Sequence, residues 1–116
     1  MKPLMIVSVI LLAGCATTPT MKSVAGTYGW KEDGNTIKLV LLENGVYEYH
    51  FKGNKSAEAK WSIENKEIHI SFAVLFGRIN VYRINQDKSI TLIAFIRDGK
   101  RKDRPIEPPF TWKKIK

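Results

Sequence analysis

Between residues 26 and 112 apolar and polar positions alternate with a period of two, the pattern of strands that bury one face. Gly26-Thr27-Tyr28-Gly29-Trp30 opens the first predicted strand, and residues 32–35 turn the chain. Ile37, Leu39 and Leu41 then alternate with Lys38 and Val40. Glu43-Asn44-Gly45 predicts a tight hairpin, because Asn-Gly readily takes the positive φ angles of a primed turn. Tyr47, Tyr49 and Phe51 point one way, Glu48 and His50 the other. After a turn at Gly53-Asn54, the residues Ala57, Ala59, Trp61 and Ile63 alternate with Glu58, Lys60, Ser62 and Glu64, the cleanest amphipathic run in the chain. Asn65-Lys66 leads into Ile68, Ile70 and Phe72. Residues 79–84 and 90–96 make two further strands around a turn at 85–88. Residues 98–109 read as a charged loop ending in Pro108-Pro109, which cannot continue a sheet ladder, and Phe110-Thr111-Trp112 closes the domain. The expectation is an all-β fold: an antiparallel meander of about eight short strands, forming a small up-and-down barrel or a strongly curved sheet. Closure into a barrel would remove the edges that such a sheet exposes. No segment has a helical period.

The first residues follow a different pattern. Lys2 precedes an apolar run from Leu4 to Leu12 that only Ser8 interrupts. This run falls well short of the ~20 residues of a membrane-spanning helix and has the form of a signal peptide. It ends in Leu12-Ala13-Gly14-Cys15, and Cys15 is the only cysteine of the chain. Leu12, Ala13 and Gly14 resemble the lipobox of bacterial lipoproteins, in which small residues before the cysteine admit the peptidase. The resemblance implies that Cys15 becomes the lipidated N-terminus and fixes the protein to a membrane. An ordinary secretory signal is the alternative, and it would leave a lone thiol in an oxidising compartment. Ala16, in place of the aspartate that often signals inner-membrane retention, favours the outer membrane, facing the periplasm. The domain organisation that follows is a signal peptide over 1–14, a lipidated cysteine and polar tether over 15–23, and one small barrel over 24–116.

Cleavage before Cys15 leaves 102 of the 116 residues, enough for one small domain. With no second cysteine, the core must hold by packing alone. The twelve aromatic residues all lie in the mature part. The formal charge of the chain is +8, and the excess gathers near the C-terminus. From residue 97 onward eight basic residues stand against three acidic ones. Such a patch attracts anionic surfaces, which for an envelope protein are lipid head groups, lipopolysaccharide phosphates or acidic polymers. A signal peptide excludes nucleic acid by compartment.

The opening Gly26-Thr27-Tyr28, the strand–turn–strand rhythm and Trp61 near mid-chain resemble a small lipocalin-like, or calycin-like, lipoprotein domain over roughly residues 24–116. Tyr28 stands where the lipocalin pattern has tryptophan. The Cys-x-x-Cys of copper-resistance and envelope-stress lipoproteins with this type of domain is missing, so neither copper binding nor redox sensing carries over.

Candidate chemistry is sparse. His50 and His69 fall on polar faces one strand apart, but Glu48, Lys60 and Ser62 do not complete a metal-ligand set, and two solvated surface histidines are the simpler reading. Ser62 and Ser71 lack a nucleophile elbow, no catalytic residue is assigned, and no cofactor is expected. Tyr47, Tyr49, Phe51, Trp61, Phe72 and Phe95 either fill the interior or line a cavity for a small apolar ligand, and the narrow bore of an eight-stranded barrel favours filling. Phe72, Leu75 and Phe76 belong to a run that breaks the alternation, which makes either an apolar partner patch or a bulged strand covered on both faces. The basic loop with Lys100, Arg101, Lys102 and Arg104 is the interaction candidate, against a merely solvated loop. The functional expectation is a membrane-anchored periplasmic interaction module, with a ligand-carrying barrel as the alternative.

Overall fold

The computed structural model describes residues 18–72, 77–103 and 111–116, and the statements below concern those residues. They form one short helix, α1 (Met21–Val24), followed by nine strands: β1 (Gly26–Glu32), β2 (Asn35–Leu41), β3 (Val46–Phe51), β4 (Asn54–Glu64), β5 (Glu67–Phe72), β6 (Arg78–Ile84), β7 (Ile90–Arg97), β8 (Lys100–Asp103) and β9 (Thr111–Lys114). Strands β1 to β7 pair in chain order, each antiparallel to the next, and β9 joins β7 back to β1. The result is the closed eight-stranded meander barrel that the alternation predicts, with β8 as an additional strand paired to β7.

The strand alternation sorts side chains as the sequence suggests. Tyr28, Leu39, Leu41, Tyr47, Trp61, Ile68, Ile70, Tyr82, Ile90 and Leu92 make one buried cluster along the barrel interior. Each large aliphatic side chain removed from water in this way contributes about 1.5–3 kcal/mol. Tyr47 meets Phe72 edge to face, with ring centroids 5.5 Å apart. Trp61 is held from both ends of its residue: its indole N–H donates to the Leu42 carbonyl at 2.8 Å, and its backbone N–H to that of Gly45 at 2.9 Å.

Four hairpins turn on two residues that both have positive φ: Asp33-Gly34, Lys52-Gly53, Asn65-Lys66 and Asp98-Gly99. Such primed turns match the twist of the flanking strands. The expected turn at Asn44-Gly45 is of another kind. Only Gly45 has positive φ, and its N–H donates to the Leu42 carbonyl across a four-residue turn. Asn44 instead uses its side-chain oxygen to accept from the Val46 N–H at 3.0 Å. The β3–β4 turn also sits one residue earlier than Gly53-Asn54.

One end of the barrel, the lower end here, is closed by α1. Thr20 and Ser23 form a reciprocal capping box, and Val24 is buried in the core. The Tyr28 hydroxyl donates to the Val24 carbonyl, while Lys114 Nζ reaches the Ser23 carbonyl at 3.1 Å. Burial of Tyr28 pushes its phenol pKa up to about 12, so it stays a donor. Gly26 lets the chain enter β1 beneath this cover: its φ is 154°, and a Cβ there would lie 2.5 Å from the Lys116 carbonyl oxygen. The polar stretch ahead of β1 is thus helical over its last residues and packs on the barrel.

Closure falls to β9 and to the residues after it, where Thr27 exchanges backbone hydrogen bonds with Ile115 and Lys116. The β9 strand meets β1 at Tyr28↔Lys114 and Gly29↔Lys113, and β7 at Ile90↔Trp112 and Thr91↔Thr111. The Trp30 and Trp112 rings, 5.8 Å apart, and a 2.8 Å hydrogen bond between the Thr91 and Thr111 hydroxyls add to it. Along the same edge of β7, β8 ends at Asp103 opposite Ala94.

Candidate functional site: a basic cleft at the barrel rim

The charged segment after residue 97 is not a loop throughout. Asp98-Gly99 makes a two-residue turn, and Lys100–Asp103 return as β8 beside β7. A strand sends successive side chains to opposite faces, so the basic residues part company. Lys102 lies opposite Phe95, and Lys100 opposite Arg97, on the face that continues the barrel interior. Arg101 lies opposite Ile96 on the outer face. Arg104, the fourth residue of the predicted patch, lies outside the described residues, as do Leu12, Ala13, Gly14 and Cys15 of the lipobox and Leu75 and Phe76 of the apolar run. Phe72 faces inward and packs against the core.

The two faces of β8 have different partners. On the outer face Arg101 makes a two-pronged ion pair with Glu67 of β5, at 2.8 and 3.0 Å, and a further bond to Asp103 at 2.9 Å. These contacts raise the Arg101 pKa, and the guanidinium holds the Glu67 carboxyl below its ordinary range. By register His69, Val81, Ala94 and Asp103 form one row on this outer face. Val81 and Ala94 are nonetheless fully buried while lying outside the core cluster. His69 Nε2, also buried, has no hydrogen-bond partner and stands 3.8 Å from Glu67. The other histidine, His50, contacts Glu48 at 2.9 Å. Both rings are partly buried, not the solvated surface residues expected, because each packs beside a carboxylate on its own strand.

On the inner face, Arg97, Lys100 and Lys102 have no ion pair or hydrogen bond through their side chains among the described residues. A fourth cation joins them from β6. Arg78 stands opposite Phe72, hence on the inner face, and its guanidinium lies 3.9 Å from the centroid of the Phe95 ring. Its Nε donates to Asn80 Oδ1 at 3.0 Å, and Asn80 in turn acts on Tyr82, pulling against the rise in its phenol pKa. Residues 78, 80 and 82 thus form a polar line up the inner face of β6, anchored at its foot by Tyr82. Burial pushes the Tyr82 pKa up to about 12, and it raises that of Tyr47 as well, with Tyr82 and Tyr49 adding to the effect.

Together Arg78, Phe95, Arg97, Asp98, Lys100, Arg101 and Lys102 line an open cleft of about 650 Å³ along the β6–β7–β8 wall. Five cations and one carboxylate surround an aromatic floor, and of the cations Arg101 is the one paired with carboxylates. Arg97 and Lys100 face each other directly across the ladder, a like-charge pair that weakens the hairpin on its own. A bound anion would relieve that repulsion. Arg78 keeps its terminal nitrogens available, since its one hydrogen bond uses Nε. Such an arrangement suits a multivalent anion chemically, by charge and by a guanidinium fork.

Sequence reasoning reached Arg97, Lys100, Arg101 and Lys102 but missed Arg78 and Asn80 as partners. Arg78 is nineteen residues from Arg97 along the chain, and only the β6–β7 ladder brings their strands side by side. Among the described residues no group of three or more His, Cys, Asp or Glu side chains is placed to hold a metal ion, and no helix is long and apolar enough to cross a membrane. The chain matches no protein-family model, no curated protein and no solved structure, so the lipocalin-like resemblance extends to the barrel architecture and names no family.

Proposed function

We propose that this protein is a lipid-anchored bacterial envelope protein whose barrel is a rigid interaction module in the periplasm. The cleft between Arg78, Arg97, Lys100 and Lys102 is its binding site, and an anionic envelope component is its partner. The observation that carries this reading is the division of charge across β8. Arg101 is neutralised on the outer face, while the cations of the inner face lack a counter-charge among the described residues. The aromatic side chains support a module over a carrier, because Tyr28, Tyr47, Trp61 and Tyr82 are packed into the core cluster rather than around a void. The lipobox supports the anchor.

Binding of the full-length protein to inorganic polyphosphate at low and raised salt tests the site. The double variant Lys100→Gln, Lys102→Gln should bind about tenfold more weakly, with a reduced salt dependence. Lys38→Gln, which removes an exposed cation of β2 outside the cleft, should bind nearly as the parent does. Equal losses in both variants, or binding indifferent to salt, would refute the cleft as the site. Cys15→Ser should move the protein from the membrane to the soluble fraction; persistence in the membrane would remove the anchor from this reading.

A further inference from the structure

Resting on the proposed anchor and not on the cleft, we infer that the outer wall of β1–β2–β3 beside α1 is a docking surface for the bilayer that holds Cys15, an anionic phospholipid membrane. Register sets its residues. On this wall Tyr28, Leu39 and Tyr47 point into the core, so Thr27, Val40 and Glu48, paired in one row, face outward. Ile115 adjoins that row: its N–H donates to the Thr27 carbonyl at 2.8 Å, and its side chain lies over Gly29. Leu42 follows Val40 by two residues and donates its N–H to the Val46 carbonyl at 2.9 Å. Val40, Leu42, Val46 and Ile115 thus lie together on the outside of the barrel. Among the described residues three large apolar side chains are exposed, and two of them, Ile115 at 52% and Leu42 at 36%, are here.

The charges around this patch suit an anionic surface. Lys60 stands beside Val46 in the ladder, Lys113 beside Gly29, and Lys116 follows Ile115. All three are exposed, and none makes an ion pair among the described residues, although Lys113 lies near enough to Asp87 to lower its pKa. The carboxylate of the row, Glu48, is engaged by His50 at 2.9 Å and by Lys55 at 4.0 Å. Lysines so placed reach head-group phosphates while their stems stay on the apolar patch. The length of the tether brings the membrane to this wall. Met21 and Val46 line one groove, and the Met21 methyl lies 3.6 Å from the position of a Cβ on Gly45. Cys15 precedes Met21 by six residues, a reach of at most about 22 Å. A patch held that close to its own lipid meets the bilayer intramolecularly, so it needs little affinity of its own.

Lysine acetylation read by mass spectrometry tests the surface, with the lipidated full-length protein in neutral phosphatidylcholine vesicles and in vesicles that include phosphatidylglycerol. Reactivity is scaled to a reference peptide free in solution. On the anionic vesicles Lys60, Lys113 and Lys116 should react about fivefold more slowly than on the neutral ones, the scale of one lysine's attraction to such a surface. Lys100, beside the Asp98-Gly99 turn at the other end of the barrel, should change by less than about twofold. Leu42→Ser, Ile115→Ser should abolish most of the protection. Leu42→Ser alone, which leaves Ile115 on Gly29, should abolish part of it and decides the matter if the double variant melts early. Equal reactivity on both kinds of vesicle, equal protection of Lys100, or protection kept in the variants would overturn the docking surface. An intact mass without acyl chains on Cys15 would remove the anchor alone; the footprint of that unlipidated protein on phosphatidylglycerol vesicles then decides the surface, and its absence there overturns it.

Discussion

The two ends of the barrel solve opposite problems. At the lower end three polar groups are held by backbone carbonyls of the same chain: Tyr28 bonds to Val24, Lys114 to Ser23, and Trp61 to Leu42. At the rim, Arg97, Lys100 and Lys102 have no such partner among the described residues, and two of them repel each other across a ladder. A fold gains nothing in stability from that arrangement. The lower end is held together by its own contacts, and the proposed function places contact at the rim. What separates them is less the number of charges than whether each charge is answered.

Perturbing the lower end should cost stability and leave the cleft chemistry intact. Trp61→Ala removes a side chain that packs in the core and donates to Leu42, and should destabilise by about 3–5 kcal/mol in denaturant unfolding. Gly26→Ala forces a Cβ against the Lys116 carbonyl and into a positive φ; a loss of about 1–3 kcal/mol is expected, read as a lower melting temperature. Anion affinity of either variant, measured below its melting temperature, should match the parent. A large drop there would show that the ends are coupled and would break the comparison.

Perturbing the rim should do the reverse. Arg78→Met keeps the stem over Phe95 but removes the guanidinium, and should weaken anion binding several-fold with a stability change below about 1.5 kcal/mol. Arg101→Gln breaks an exposed ion pair on the outer face, worth no more than about 1 kcal/mol. Its effect on the fold should appear as faster amide exchange in β8. The same pair gives a pH dependence. Arg101 lowers the Glu67 pKa, so the contact contributes fully above the ordinary carboxyl range and is lost as pH falls through the lowered value, beneath that range. Acid-induced exchange in β8 should therefore be present in the parent and absent as a separate step in Arg101→Gln. A parent whose β8 protection is flat down to pH 2 would contradict the role of this clamp.

Most of the barrel was legible because one face of each strand is apolar. Residues 57–64 and 67–72 alternate without a break, and β4 and β5 follow them. The rim was not legible for the converse reason. Lys-Arg-Lys-Asp has no apolar position, so its period of two is invisible, and β8 reads as loop until Asp98-Gly99 is seen to fold it onto β7. In β6 and β7 both faces carry apolar residues. The register also shifts between Val81 and Tyr82, so Ala94 pairs with Val81 but Leu92 with Tyr82. That shift places Leu92 and Phe95 both on the inner side, an assignment that simple alternation along residues 90–97 cannot make. Arg78 and Asn80, polar residues on an inner face, run against the pattern that finds strands at all.

The sparse pairing of β9 has a mechanical meaning. A protein held by its N-terminus and gripped at its rim carries load between β1 and β7. One path runs through the six long ladders from β1 to β7; the other crosses β9, which among the described residues holds each neighbour by two residue pairs. Under tension the cylinder should open along β9 while the other ladders hold, so that it yields as a sheet before it yields as a chain.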